Sequence, residues 1–406
     1  MSDPKHNNDP LDAAKQKELA AMHASKKRPL CHCRKPGIEM YIAKIEERYY
    51  VKRMPETGGL HAPTCDSYEP PAELSGLGEV LGSAIKENLD GLTELRFDFS
   101  MTKIGGRVGQ TDIKAKETDS VKAAGSKLTI KSVLSYLWDQ AGFNKWSPAM
   151  DGKRTWSVVH RHLMAVAGDK MAKGAVLSEK LYIPEPFSVD KKDEIARRRM
   201  SKFAVATAKA SGPKPLMLLV GEVKTLAPGR YGQTLVLKHA PGCNFNMADE
   251  MYKRIEKQFE VEFDLWKAAE DVRLMVIATF SVSLGGMNEI DEIAFMPTTN
   301  NWIPFENPWE ELMINETLRD RRFTKCLRYN LTKERPLASF VLNDTTPKPT
   351  AMYVTMPLMK DEFHTALHNL IEGSQLDSWI WDVSNFDPPP IPEATAIPAA
   401  PAAGAP

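Results

Sequence analysis

Cys31-His32-Cys33 and His61-Ala62-Pro63-Thr64-Cys65 place three of the chain's five cysteines and two histidines between residues 31 and 65. Thiolate sulfur and imidazole nitrogen are the donors that zinc takes in tetrahedral sets of four. Cys31, Cys33, His61 and Cys65 make such a Cys3His set. A filled set leaves no position for water, so the spacing predicts a structural Zn2+ site that serves folding. His32 is an alternative ligand, although in an extended run its side chain lies opposite those of its neighbours. The competing reading treats Cys31 and Cys33 as small buried apolar side chains. Cys243 and Cys326 stand alone and are expected to be structural.

Charge supplies the next candidates. Arg197, Arg198, Arg199 and Lys202, with Lys191 and Lys192 before them, form a basic run suited to phosphate contacts. The same run also suits a solvated linker. A helix opening near Arg154 and carrying His160, Arg161 and His162 follows another amphipathic helix across Gly142 and Pro148. A helix-turn-helix or winged helix would set such a helix in the major groove; a plain helical subdomain fits equally. His364 and His368 share a helix face beside Asp361 and Glu362, which could bind a metal, although this spacing is far more often met on solvated helices. Gly76-Leu77-Gly78 with Gly82 has the wrong spacing for a dinucleotide loop, and no strand precedes it. A phosphate-binding P-loop, a G-x-S-x-G elbow and H-E-x-x-H are all missing from the sequence.

A last constellation is acidic. Glu310 and Glu311 open a helix, Arg321-Arg322-Phe323 follows, and Asp344 ends a strand nine positions before Tyr353. Acids so placed hold a divalent metal in phosphodiester hydrolysis. Residues 301–385 thereby resemble the PD-(D/E)XK, restriction-endonuclease-like fold. In that family an acid on a helix precedes a strand aspartate and an acid-x-lysine on the next strand. Glu310 or Glu311 matches the first and Asp344 the second. The third reads Tyr353-Val354-Thr355, so both reactive groups are missing. The resemblance implies an inactive descendant. The alternative is a nuclease using Glu311, Asp344 and Mg2+ or Mn2+, with Lys360 as a displaced lysine.

The elements that must position these groups follow from periodicity. Met40–Ile45 and Arg48–Arg53 read as a hairpin that folds the two ligand pairs together. Ile130, Val133, Leu134, Leu137 and Ala141 have helical spacing, as do Trp156, Val159, Leu163 and Val166. Leu216–Thr225 and Gln233–His239 suit a strand pair, one long helix runs from Tyr252 to Trp266, and Arg273–Ser283 and Ile290–Met296 suit two more strands. From residue 301 the order is helix, three strands and helix. The expected class is α+β and multidomain. Its parts are a flexible arm (1–28), a zinc-binding hairpin module (29–72), a mainly helical region that a winged helix would suit (73–190), an α+β region (191–300), the nuclease-like α/β region (301–385) and a disordered Pro/Ala-rich tail (386–406).

The 406 residues carry 53 Lys+Arg and 53 Asp+Glu, with 42% apolar and 26% charged residues. This is ordinary globular composition and excludes bulk electrostatic coating of nucleic acid. Neutrality is a cancellation, however: residues 191–240 carry a net +8 and residues 241–320 a net −10. The polar start predicts no secretory signal, the apolar runs are too short for membrane insertion, and few cysteines predict a reduced, cytoplasmic setting.

Residues 29–385 also resemble a family of uncharacterised bacterial proteins, a domain of unknown function carried on plasmids and integrative conjugative elements. The stretches that carry the resemblance are Cys31-x-Cys33, Tyr50-Val51-Lys52-Arg53-Met54-Pro55, His61-x3-Cys65, Leu74-Ser75-Gly76-Leu77-Gly78, Asn301-Trp302-Ile303-Pro304 and Leu327-Arg328-Tyr329-Asn330. It implies a setting in mobile DNA. The expected function is a zinc-containing, non-catalytic accessory protein that binds DNA or a protein of the element. The nuclease and a protein–protein adaptor in conjugation machinery are the alternatives.

Overall fold

The computed structural model describes residues 10–45, 48–87, 92–103, 125–209, 211–230, 232–357 and 359–395. The fold is α+β. Strand β1 (Leu30–Cys31) pairs antiparallel with β2 (Ile38–Ile45), and β2 with β3 (Arg48–Arg53), with Met40 opposite Arg53 and Ile45 opposite Arg48. The hairpin expected from its aromatic and β-branched runs therefore forms. Within the arm, residues 10–24 form a helix, and Gln16 exchanges two hydrogen bonds with the Tyr49 backbone, at 3.0 and 2.7 Å. That holds the helix against β3.

The middle of the chain mixes helices with short strands. Strands β4 (Ile85–Glu87), β5 (Thr93–Leu95), β8 (Lys170–Ala172) and β9 (Ala175–Val176) make a four-stranded sheet. The helices Ile130–Gln140 and Trp156–Ala167 lie close to the predicted positions, and Thr129 caps the first by accepting the Ser132 N–H. A two-stranded pairing of β6 (Thr102–Lys103) with β11 (Lys214–Pro215) leads into the largest sheet.

That sheet closes on itself. Strand β12 (Met217–Gly229) pairs with β15 (Arg273–Val282) through its first half and with β13 (Gly232–Leu237) through its second, bending at a bulge between Val223 and Thr225. Next, β13 pairs antiparallel with β14 (Asn244–Met247), and β14 runs parallel to β16 (Asn288–Thr298). Antiparallel pairing of β16 with β15 completes the ring. The result is a five-stranded barrel, with β10 (Leu181–Tyr182) added parallel to β12. Gly232, at φ +111°, makes the β12–β13 turn; a Cβ there would lie 2.3 Å from the Met247 carbonyl oxygen. Fully buried Phe245, Phe280 and Phe295 belong to the apolar cluster around the barrel. The one long helix expected over Tyr252–Trp266 is instead two, Asp249–Gln258 and Glu260–Ala268. The break is Phe259, whose non-helical backbone lets both Phe259 and Phe263 reach Phe295, at 5.3 and 5.0 Å.

One apolar cluster runs from Val80 to Tyr329, so residues on both sides of position 190 share it. A second centres on Trp146, Phe323, Phe340 and Trp381. It belongs to the five-stranded sheet β20 (Asp377–Asp382), β19 (Thr350–Thr355), β18 (Phe340–Leu342), β17 (Phe323–Lys325) and β7 (Lys145–Trp146). From residue 308 the order is helix Pro308–Leu312, β17, β18, β19, helix Asp361–Gly373 and β20. Of the tail, residues 386–395 lie along this sheet, with Pro390 accepting from the Trp379 indole and Pro392 from Arg321; residues 396–406 are outside the described set.

Candidate metal centre

Each ligand pair is set by a tight local turn. Cys31 ends β1 and Cys33 sits in the turn before β2, where Gly37 takes φ +117°. His61 closes the short turn Gly58–Leu60, its N–H bonding the Gly58 carbonyl, and Cys65 bonds back to Ala62 at 2.8 Å. The hairpin register then brings the pairs together. Cys31 Sγ lies 3.7 Å from Cys65 Sγ, and His61 Nδ1 lies 3.4 Å from Cys33 Sγ and 3.7 Å from Cys65 Sγ. All four ligand atoms fall within 4.8 Å of one another.

These separations suit one metal ion. A tetrahedron with Zn–S bonds of about 2.3 Å has S···S edges of about 3.8 Å. A disulfide needs sulfurs near 2.05 Å, and all five cysteines are free. Two backbone donors support the thiolates: Ala62 N–H faces Cys33 Sγ and Ser67 N–H faces Cys65 Sγ, both at 3.4 Å. Burial, then the charges of Arg53 and Lys145, hold His61 below its usual value, which favours the neutral ring that a metal ligand requires. Burial opposes ionisation of Cys33, but the Ala62 N–H, the neighbouring cysteines and Arg34 outweigh it and lower the thiol. Burial pushes Cys65 up to about 11. The set could therefore hold a metal ion, consistent with zinc. His32, in the same turn, is not part of it.

Behind the centre lies a cavity of about 250 Å³ between the hairpin and the body of the molecule. Lys52 of β3 reaches across it to buried Asp169, which also holds Lys170 at 2.9 Å. Arg53 pairs with Glu69 at 2.5 Å, and Lys145 donates to the carbonyls of Asp66 and Tyr68 at 3.1 and 2.7 Å. Asp139, bonded by Asn144 and Tyr329, is pushed up to about 6 by burial and then by Glu69. Burial lowers Lys170 and raises Glu87. Sequence reasoning passed over this charge cluster. Its one available signal was Asp169-Lys170 directly after an apolar helix.

The model of a domain described as a protein of unknown function, DUF1173, matches residues 6–384. The chain belongs to the DUF1173 family. No curated protein and no solved structure matches it significantly. Stretches singled out in the sequence meet in this DUF1173 fold. Gly76 N–H bonds the Leu327 carbonyl at 2.9 Å, and a Cβ on Gly76 would fall 1.8 Å from the Arg328 oxygen, so only glycine allows the approach. Asn330 binds Thr129 N–H and Ser132 at the start of one helix, while Trp302 receives the Trp138 indole N–H on its carbonyl.

The remaining candidates are dispersed. Asp344 is buried and gripped by Arg321 at 3.1 and 2.8 Å, with Arg322 N–H on the same carboxylate at 2.8 Å. Glu310 is buried against Lys325 at 2.9 Å. Glu311, half-buried, is raised by burial and by Asp271. Among the described residues, the group of three or more His, Cys, Asp or Glu side chains able to hold a metal is Cys31, Cys33, His61 and Cys65. Glu311 and Asp344 form no such group. His368 pairs with Glu372 on an exposed face.

The basic residues differ among themselves. Arg198 is tied to Glu185 and Glu194, Lys202 donates to the Ser178 carbonyl at 2.6 Å, and Arg199 bonds Tyr182. Arg197 is exposed. Arg154 is spent inside, donating to the carbonyls of Phe143, Asn301 and Gly142 at 3.2 Å each, so it is unavailable to a groove. Among the described residues no helix is long and apolar enough to cross a membrane.

Proposed function

We propose that this chain is a zinc-containing, non-catalytic accessory protein that binds nucleic acid in the cytoplasm, in the biology of mobile genetic elements. The closed Cys3His set is the observation that carries the reading. Four protein donors around one point leave no coordination position for water or substrate, which is the pattern of a folding site. The nuclease-like order of elements from residue 308 supports descent from a nucleic-acid enzyme, while Asp344 and Glu310 are engaged by Arg321 and Lys325. The net +8 of residues 191–240 supports contact with phosphates.

Elemental analysis of purified protein should find one equivalent of zinc, lost when Cys31 and Cys65 both become Ser. A folded wild-type protein without metal would refute the site. Retention of DNA that weakens as salt rises is the matching expectation for binding, and its complete lack would leave the adaptor reading in its place.

A further inference from the structure

We infer that the five-stranded barrel is the nucleic-acid site and that its ligand is a single strand; this rests on the nucleic-acid reading above. The barrel's order, with long β12 shared between β13 and β15, β14 parallel to β16 and helices between β14 and β15, is a Greek-key closure of the oligonucleotide/oligosaccharide-binding type. In that class of barrel the outer face of the second and third strands, with the loops joining strands one to two and four to five, receives the ligand. Here those parts, among the described residues, are β13, β14 and residues 283–287. The interior is packed with buried side chains, so a ligand must lie outside.

The outer face has the right make-up for a flexible polyanion. Leu235 and Leu237 of β13 are buried, which leaves Val236 between them facing out. Register sets Thr225 of β12 beside Val236, and Val236 beside Asn244 of β14. At one end of this row stands exposed Lys224, at the bulge. At the other, Asn288 holds the Asn244 carbonyl at 2.9 Å and brings the 283–287 loop alongside. Leu284 and Met287 of that loop are 73% and 39% exposed, giving apolar surface against which a base ring can lie. The Asn244 side chain, exposed at the same place, offers an amide to base edges.

Charge completes the match. Two of the three acids of neighbouring β16 face a cation, Asp291 with Lys103 at 2.5 Å and Glu289 with Lys214 at 3.9 Å, while burial and then Asp98 and Asp291 push the third, Glu292, up to about 7. The basic helix Lys192–Phe203 ends on the barrel: Phe203 packs on Phe280 at 4.9 Å, and Thr207 bridges Val282 just before the loop. Its Arg199 lies near Cys243, next to Asn244. The run found in the sequence thus sits at the rim of this face. A backbone of phosphates can follow such a rim while its unpaired bases rest on the strands.

The test is fluorescence anisotropy on the full-length protein with labelled oligodeoxythymidine, oligouridine and a duplex of the same length. At least one single strand should bind tenfold or more tightly than the duplex, and the two strands together tell DNA from RNA. Lys224→Glu combined with Asn244→Asp should weaken that binding at least tenfold, with an unchanged thermal transition. Lys348→Glu, in the exposed loop between β18 and β19, should leave it unaltered. Duplex preference, or full affinity in the barrel variant while Arg197→Glu weakens binding, would overturn the barrel assignment alone. No binding to any of the three probes would overturn the nucleic-acid reading and this inference with it.

Discussion

The N-terminal hairpin module and the C-terminal sheet solve the same problem by different means. Both are small sheets that must be tied to the rest of the chain. The module has only a few buried apolar residues, among them Met40, Ile42 and Met54, and its loops converge on four metal-competent donors. The C-terminal sheet instead surrounds a continuous cluster of Phe323, Phe340, Met352 and Trp381 and buries two ion pairs, Arg321–Asp344 and Lys325–Glu310. A module too small to bury much apolar surface needs a metal or crosslink, whereas a larger sheet can rely on packing. The contrast also separates two fates of polar side chains. In the module they are left facing one another around a point, ready for a ligand. In the C-terminal unit the two buried acids, Asp344 and Glu310, each already have a cation.

Removing the metal should have the largest effect and should act on one side of this contrast. Cys65→Ser, or a strong chelator, should abolish hydrogen-exchange protection of β2 and β3 while β18 and β19 keep theirs; equal loss in both regions would mean that the two are a single cooperative unit.

Lys325→Met should do the reverse. It leaves Glu310 buried with the Glu306 N–H but without a cation, at a cost of roughly 3–5 kcal/mol, measured by urea unfolding followed through the C-terminal tryptophans. Adding Glu310→Gln should restore most of the loss, because the uncompensated charge goes with it.

Asp139 lies between the two regions, held by Asn144 and Tyr329 and facing Glu69. Its carboxyl titrates at about 6 in the folded protein, above the ordinary value of 3.8. The folded state therefore binds the proton more tightly than the unfolded one. Its stabilising contribution is complete below about pH 4 and is lost as pH rises through about 6. Asp139→Asn should consequently gain on the wild type between pH 4 and 7.5, by up to roughly 3 kcal/mol. Parallel stability curves across that range would contradict the assignment.

Arg198 belongs to neither region and is exposed, paired with Glu185 and Glu194. Its replacement by Ala should shift the thermal midpoint least, as solvent screens an exposed ion pair. A larger shift would place the basic helix among the elements that hold the barrel closed.

Much of the local structure was legible. The hairpin at Arg48–Arg53, the helix from Ile130 and the strand from Arg273 stand within a few residues of where alternation or helical spacing puts them. The ligand set was readable as well, since a metal's demand for donors is written in residue type and short spacing. The break at Phe259 was not, because both halves keep one apolar period and only Phe295, far along the chain, requires the interruption.

Sequence by itself determined the donors, the hairpin that gathers them, the mixed class of the fold and the uneven distribution of charge. These depend on neighbours a few residues apart, where chemistry and periodicity act directly. Tertiary structure alone decided that β12 meets β15 and β14 meets β16 to close a barrel, for those pairings join residues more than forty positions apart. It decided too that Asp344 faces Arg321 rather than another acid, and that the basic helix ends against the barrel. A charge reads the same in sequence whether it is solvated, paired or offered to a ligand; what lies across from it is set by the packing of distant segments.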